Sequence, residues 1–60
     1  MTKKVHVEWT SGGSNDYKGV AKIEEDRHYE HVTGWRLYGE HGDLIAMIKH
    51  DIVSYIEVNR

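Results

Sequence analysis

The sequence predicts an all-β domain of about five short antiparallel strands in one strongly bent sheet or small barrel. Val and Ile supply eleven residues and Leu only two, and side chains branched at Cβ fit a pleated strand better than a helix. Apolar and polar residues alternate in several short segments. Clusters rich in Gly, Asn, Asp and Ser separate these segments, at the spacing expected of a sandwich or barrel.

Length and composition narrow the classes of protein that the chain can belong to. Sixty residues make one small domain, residues 1–60, with a thin core. Cys is absent, which excludes disulfides and thiolate metal sites. The net charge of −2 gives no support for a basic phosphate-binding face. We find neither a run of ~20 apolar residues nor the apolar core of a signal peptide, so we expect a cytoplasmic protein that does not bind membranes.

The first half of the chain is interpreted as two strands and a loop. Residues 3–10 alternate strictly, with Val5, Val7 and Trp9 on one face of a strand. Residues 11–16, SGGSND, have the composition of a loop. Residues 17–25 predict a second strand, which shows one face formed by Tyr17, Gly19, Ala21 and Ile23. Gly19 is expected to mark a bulge or bend in it.

The segment 26–33, DRHYEHVT, is polar on both faces and leaves three alternatives open. It could be a polar loop, a short helical turn, or the far ends of a long hairpin.

The stretch 35–58 holds most of the apolar residues and predicts three further strands. Residues 35–38 place Trp35 and Leu37 towards the core, and residues 39–43 form a hairpin connection. Residues 44–48, LIAMI, are apolar on both faces, so we expect a strand covered on both sides or placed where the sheet curls. Residues 49–51 fit a single 3₁₀ turn, and residues 54–58 form the last strand.

Together these elements resemble a known group of small domains. The order Tyr17-Lys-Gly-Val20, Trp35-Arg-Leu-Tyr38, Gly42-Asp43, the apolar strand 44–48 and Tyr55-Ile-Glu-Val58 looks like that of short SH3-like or Sm-like β-barrel proteins of bacteria and phages. The resemblance covers nearly the whole chain and lies in the pattern of strands. It implies a small SH3-like barrel and transfers no functional residue.

Five histidines in so short a chain raise the question of a metal site. His28 and His31 lie three residues apart. On a helical turn they would face together and could ligate a divalent ion. On a single strand they would point to opposite faces, and the site would fail. The alternative without a function is a solvated, charged connection between strands. We therefore assign no metal ligand and no cofactor.

Basic and aromatic residues offer a second function class. Stacking rings among cations are how small barrels bind single-stranded nucleic acid. The residues that could do so are Lys18, Lys22, Arg36 and Lys49 with Tyr17, Trp35 and Tyr38. The structural alternative is that Trp35 belongs to the core and the lysines are ordinary surface charges. Nucleic-acid binding is therefore kept as the alternative function.

Protein association is the leading interpretation. A thin sheet leaves edge strands with unpaired backbone groups, which can pair with another chain. We therefore expect a non-enzymatic interaction module that binds a protein partner or a second copy, and that modulates a larger bacterial or phage protein. No catalytic motif or small-molecule substrate is indicated. The candidate binding residues are Arg36, Tyr38, Tyr17, Lys18, His28, Tyr29, His31 and Tyr55.

Overall fold

The computed structural model describes residues 2–59 and consists of antiparallel strands. The strands are β1 Lys3–Trp9, β2 Ser14–Val20, β3 Lys22–His28, β4 His31–Tyr38, β5 Leu44–Lys49 and β6 Val53–Asn59. A 3₁₀ turn, η1 (His50–Ile52), joins the last two, as predicted. The strands form two three-stranded sheets, which we name sheet A (β2-β1-β6) and sheet B (β3-β4-β5). The prediction of an all-β antiparallel fold is confirmed.

The core lies between the two sheets and follows from strand alternation. Val5 and Val7 of β1 are fully buried, as the period-two pattern predicts. Leu37 of β4 is fully buried and Ile48 of β5 nearly so. Trp35, also predicted to point inward, is partly buried and packs against this cluster. Five buried apolar side chains form the centre of the core, which is as thin as the length of the chain predicts.

The prediction of one strand over residues 17–25 is wrong, because the chain breaks at Ala21 into β2 and β3. Gly19 lies at φ +73 in a bulge, where Lys3 pairs with Val20 but Val5 pairs with Tyr17. The extra residue shifts the alternation by one, so that Val20 points into the core and is fully buried. Tyr17 and Ile23 of the predicted inner face do pack against the core, but Val20, predicted to lie on the opposite face, is also buried there.

Two further boundaries differ from the prediction. The expected loop 11–16 is shorter, because β2 already begins at Ser14 and pairs with Glu8 of β1. Segment 26–33 adopts the third alternative, the far ends of a hairpin, with a two-residue turn at Tyr29 and Glu30. Polar residues extend both hairpins, and backbone pairing rather than burial holds these ends.

The single closed barrel of about five strands is also corrected. There are six strands in two sheets, and among residues 2–59 no strand ladder joins sheet A to sheet B. The break at Ala21 and the turn η1 each send the chain from one sheet to the other. Single backbone bonds span these junctions, from Ala21 N–H to the carbonyl of Tyr38 (2.8 Å) and from Thr10 N–H to the carbonyl of Ile52 (2.9 Å).

β5 is less covered than its apolar sequence predicts. Only Ile48 of this strand is buried, whereas 68% of Met47 and 50% of Leu44 are exposed. Of the two alternatives for segment 44–48, coverage of both faces is therefore wrong. The helical turn described in residues 2–59 is far too short to cross a membrane.

Candidate functional site

An open groove lies at one end of sheet B. Its volume is ≈ 700 Å³, and it lies where β3, β4 and β5 meet η1. We call it the sheet B groove. Its lining residues are Asp26, Val32, Thr33, Gly34, Trp35, Met47, Ile48, Lys49, His50 and Asp51.

The backbone at Gly34 shapes this groove. Gly34 pairs with Asp26 on one side and with Lys49 on the other, in the middle strand of the sheet. A Cβ atom there would lie 2.4 Å from the carbonyl oxygen of Ile48, far inside a van der Waals contact. Any side chain at this position would push β5 away from β4. Gly34 therefore allows the close approach of the two strands that form the floor.

A bulge opens the side of the groove towards the β3–β4 hairpin. Asp26 pairs with Gly34, but Arg27 pairs with Val32, so that Thr33 is the extra residue. The hydroxyl of Thr33 donates a hydrogen bond to the backbone carbonyl of Asp26 (3.1 Å). This bond ties the bulge to β3, and the irregularity shifts the pairing register by one residue beside the groove.

The groove offers apolar and aromatic surface to a ligand. Met47 is the most exposed of its apolar side chains. The Trp35 ring packs on the core from below and tilts against the His50 ring, with centroids 5.5 Å apart and planes at 42°. Long flexible Met and broad Trp side chains are the kinds that adapt to peptide ligands.

The charges around the groove are mixed and partly neutralised. Asp26 accepts a hydrogen bond from Nε of Arg36 (3.0 Å) and forms an ion pair with its Nη2 (2.8 Å). The bond to Asp26 raises the pKa of the Arg36 guanidinium, and this pair is about one third exposed. Lys49 and Asp51 are exposed on the rim with opposite charges. The rim thus offers polar contacts without a strong net charge.

Arg36 and Tyr38, two of the predicted binding residues, lie together outside the groove on β4. They face Glu24 of β3, whose pKa is lowered first by the hydrogen bond from Lys22 and then by that from Tyr38. Tyr38 also lines a second, shallower depression of ≈ 470 Å³ beside the Gly39–Gly42 turn. Arg36 contacts two carboxylates of β3, those of Glu24 and Asp26, and contributes to the groove through its ion pair with Asp26.

Three other predicted residues lie on sheet A, away from this surface. Tyr17 is half-buried against the core and Lys18 is exposed, both on β2. Tyr55 is exposed on β6, and its hydroxyl donates to Glu57 (3.0 Å), which raises the pKa of Tyr55. The predicted set is therefore divided between the two sheets.

His28, Tyr29 and His31 lie together at the tip of the β3–β4 hairpin. Tyr29 is 89% exposed and has a φ of 56, an unusual backbone conformation for a bulky residue. His28 and His31 are direct cross-strand partners across the two-residue turn. Both sequence alternatives for these histidines, a helical turn and opposite faces of one strand, are thus replaced by a third geometry.

A polar array covers the outer face of sheet A. The His6 ring donates to Asp16 (2.5 Å) through Nδ1 and to Glu8 (3.1 Å) through Nε2, which requires the doubly protonated ring. These bonds, with Asp16 first, raise the pKa of His6, and the bond from His6 lowers the pKa of Asp16. Glu57 faces His6 from β6. All of these groups are solvent-exposed or nearly so, which limits their energetic weight.

Sequence reasoning missed the groove as a site. None of its lining residues belongs to the predicted binding set. The useful signals were Gly34 inside a strand pattern and an exposed Met in an apolar run, both of which need the neighbouring strand to be interpreted.

No protein family, curated protein or solved structure shows a significant match to this chain. Among residues 2–59, no group of three or more His, Asp or Glu side chains is arranged to hold a metal ion.

Proposed function

We propose that this chain is a non-enzymatic protein-interaction module that binds an extended segment of a partner protein in the sheet B groove. The observation that carries the proposal is a groove of ≈ 700 Å³ that is lined both by Trp35 and by the exposed Met47. An apolar anchor surrounded by polar groups is the usual composition of the centre of a protein interface. A segment with one apolar or aromatic side chain would fill the groove and contact Lys49 and Asp51 at its rim.

The neighbouring strand edge favours an extended ligand. Among residues 2–59, no strand pairs with the outer edge of β5. β5 carries no charged residue before Lys49, whereas the other edge of the same sheet, β3, carries five. Charged residues protect an edge strand from pairing, so β5 is the less protected of the two edges. A bound segment could therefore add backbone hydrogen bonds to the side-chain contacts of the groove.

We also propose an SH3-like relationship for the fold. It is supported by the connectivity, with three strands in each sheet and a 3₁₀ turn between β5 and β6. A kink at Ala21 divides what would be one long strand of such a domain into β2 and β3. A cytoplasmic location and a larger bacterial or phage protein as the partner remain proposals based on composition and on the resemblance.

Nucleic-acid binding has less support as an alternative. Of the four cations considered for it, Arg36 is bound to Asp26 and Lys22 lies 3.4 Å from Glu24. On the face of sheet B that carries Lys22 and Arg36, carboxylates lie between the cations and weaken the attraction for phosphates.

A display selection tests the proposed function. A random peptide library is selected against the immobilised chain, against Met47→Asp and against Val58→Asp. Val58 is the control, because it is an exposed apolar strand residue that lies in sheet A and does not line the groove. We expect enriched peptides to bind the wild type and Val58→Asp and to lose at least about tenfold in affinity for Met47→Asp, which corresponds to about 1.4 kcal/mol.

Two outcomes would contradict the proposal. Selected peptides that bind Met47→Asp as well as the wild type would place the binding site elsewhere. Binding to single-stranded DNA that falls steeply with salt, in the absence of peptide enrichment, would favour the nucleic-acid alternative.

A further inference from the structure

The tip of the β3–β4 hairpin brings two histidines together in a way that is independent of the groove. His28 and His31 flank the two-residue turn and pair directly across it. Residues opposite each other in an antiparallel pair have side chains on the same face, with Cβ atoms about 4.5–5.5 Å apart. A spacing of three residues therefore puts both imidazoles on one face when a tight turn lies between them.

This separation suits a chelating pair. Two imidazole nitrogens bound to one ion, each at about 2.0–2.1 Å, lie about 3 Å from each other. Side-chain rotation of two opposed histidines can cover the difference between the Cβ separation and this distance. Both side chains are exposed, so such rotation does not disturb the core.

The surroundings of the pair leave it free to bind. The His28 ring makes only an edge contact with the Tyr29 ring, at 4.6 Å between centroids, and Tyr29 itself is almost fully exposed. Arg27, which precedes His28 in the chain, is held by Glu25 through a contact of 3.0 Å. Glu30 in the turn adds a negative charge beside the pair. These groups favour a cation more than they repel it.

We propose that His28 and His31 form an open site for a divalent transition-metal ion, with two imidazole ligands from the chain and the other positions filled by water. Nitrogen ligands select ions such as Ni²⁺, Cu²⁺ and Zn²⁺ over Ca²⁺ and Mg²⁺. The site differs from closed structural zinc sites, which use four protein ligands. Its open positions could accept a donor atom from another molecule.

The test uses Ni²⁺ as the probe and a ¹⁵N-labelled chain at neutral pH. Paramagnetic Ni²⁺ should broaden the amide signals of residues 27–32 first. His28→Gln and His31→Gln should each weaken Ni²⁺ binding by at least about tenfold, because one of two ligands is lost. The control is His41→Gln, which removes an exposed histidine from the β4–β5 turn and should leave the affinity unchanged.

Further measurements separate ligation from a structural effect. The melting temperatures of the three variants in EDTA should match that of the wild type, because these side chains are exposed. Broadening centred on His6, His41 or His50, or unchanged affinity in His28→Gln, would overturn the proposal.

Discussion

Substitution of Gly34 by Ala should destabilise the chain through the β4–β5 contact. The added Cβ would lie 2.4 Å from the carbonyl oxygen of Ile48 and 3.4 Å from the Cα atom of Lys49. An ordinary contact begins near 3.4 Å, so the two backbones must separate by about 1 Å. The obstacle is backbone in a paired strand, which cannot rotate away as a side chain can.

The magnitude follows from three effects. Overpacking that shifts a backbone costs about 1–3 kcal/mol. Weakened ladder bonds at the pairs Gly34–Lys49 and Trp35–Ile48 add about 0.5–1.5 kcal/mol each if lost. In the opposite direction, Ala reduces the conformational entropy of the unfolded chain, which stabilises the fold by about 0.4–1 kcal/mol. We therefore expect a net loss of about 2 kcal/mol, a large share of the ~3–9 kcal/mol expected for 60 residues.

Urea denaturation measures this loss. With a slope of about 1 kcal/mol per molar, the midpoint should fall by about 2 M with the slope unchanged. The control is Gly13→Ala, because a Cβ at Gly13 meets only Trp9 Cδ1 at an ordinary 3.7 Å. If Gly34→Ala unfolds at the same urea concentration as Gly13→Ala, the claim that β4 and β5 lie too close at Gly34 to admit a side chain is wrong.

Two further predictions concern ion pairs. In sheet A, the raised pKa of His6 gives stability that is present below its ordinary value of 6.5 and is lost as pH rises through the raised value. The lowered pKa of Asp16 gives stability that is present above 3.8 and is lost as pH falls through the lowered value. Asp16→Asn should therefore lower the melting temperature more at about pH 5.5 than at about pH 8.5, even with Glu8, Glu57 and Lys4 nearby. Equal losses at the two pH values would contradict the ion pair between His6 and Asp16. In sheet B, a double-mutant cycle of Arg36→Met and Asp26→Asn should show a small favourable coupling that salt reduces, because the pair is partly exposed. A coupling of zero at low salt would remove Arg36 as the group that positions Asp26.

The sequence pattern correctly predicted features that depend on residues close together in the chain. The alternation in β1 correctly buried Val5 and Val7, and the polar break after Ile48 correctly predicted a 3₁₀ turn. The same rule placed Val20 on the wrong face, because the bulge at Gly19 shifts the alternation by one residue at the end of β2. A bulge is specified by how two strands pair, and this information is spread over distant parts of the chain.

The candidate site was less predictable than the fold for the same reason. The groove combines segments from three strands and η1, and its floor depends on how closely Gly34 approaches Ile48. The sequence does not state which strands are neighbours. The histidine pair is an example. Within one helix or one strand, a spacing of three residues fixes whether two side chains share a face, but a tight turn between two strands makes His28 and His31 cross-strand partners.

The two tryptophans provide the most direct test of binding in the sheet B groove. Trp35 lines the groove, whereas Trp9 lies in sheet A with its indole N–H bonded to Asn15 (2.8 Å). Each indole N–H gives its own signal in a ¹H–¹⁵N spectrum, so one titration with a selected peptide compares the site with an internal reference. We predict that the Trp35 signal shifts with saturation while the Trp9 signal stays in place. A shift of Trp9 alone, or of neither signal at peptide saturation, would contradict the assignment of the groove as the binding site.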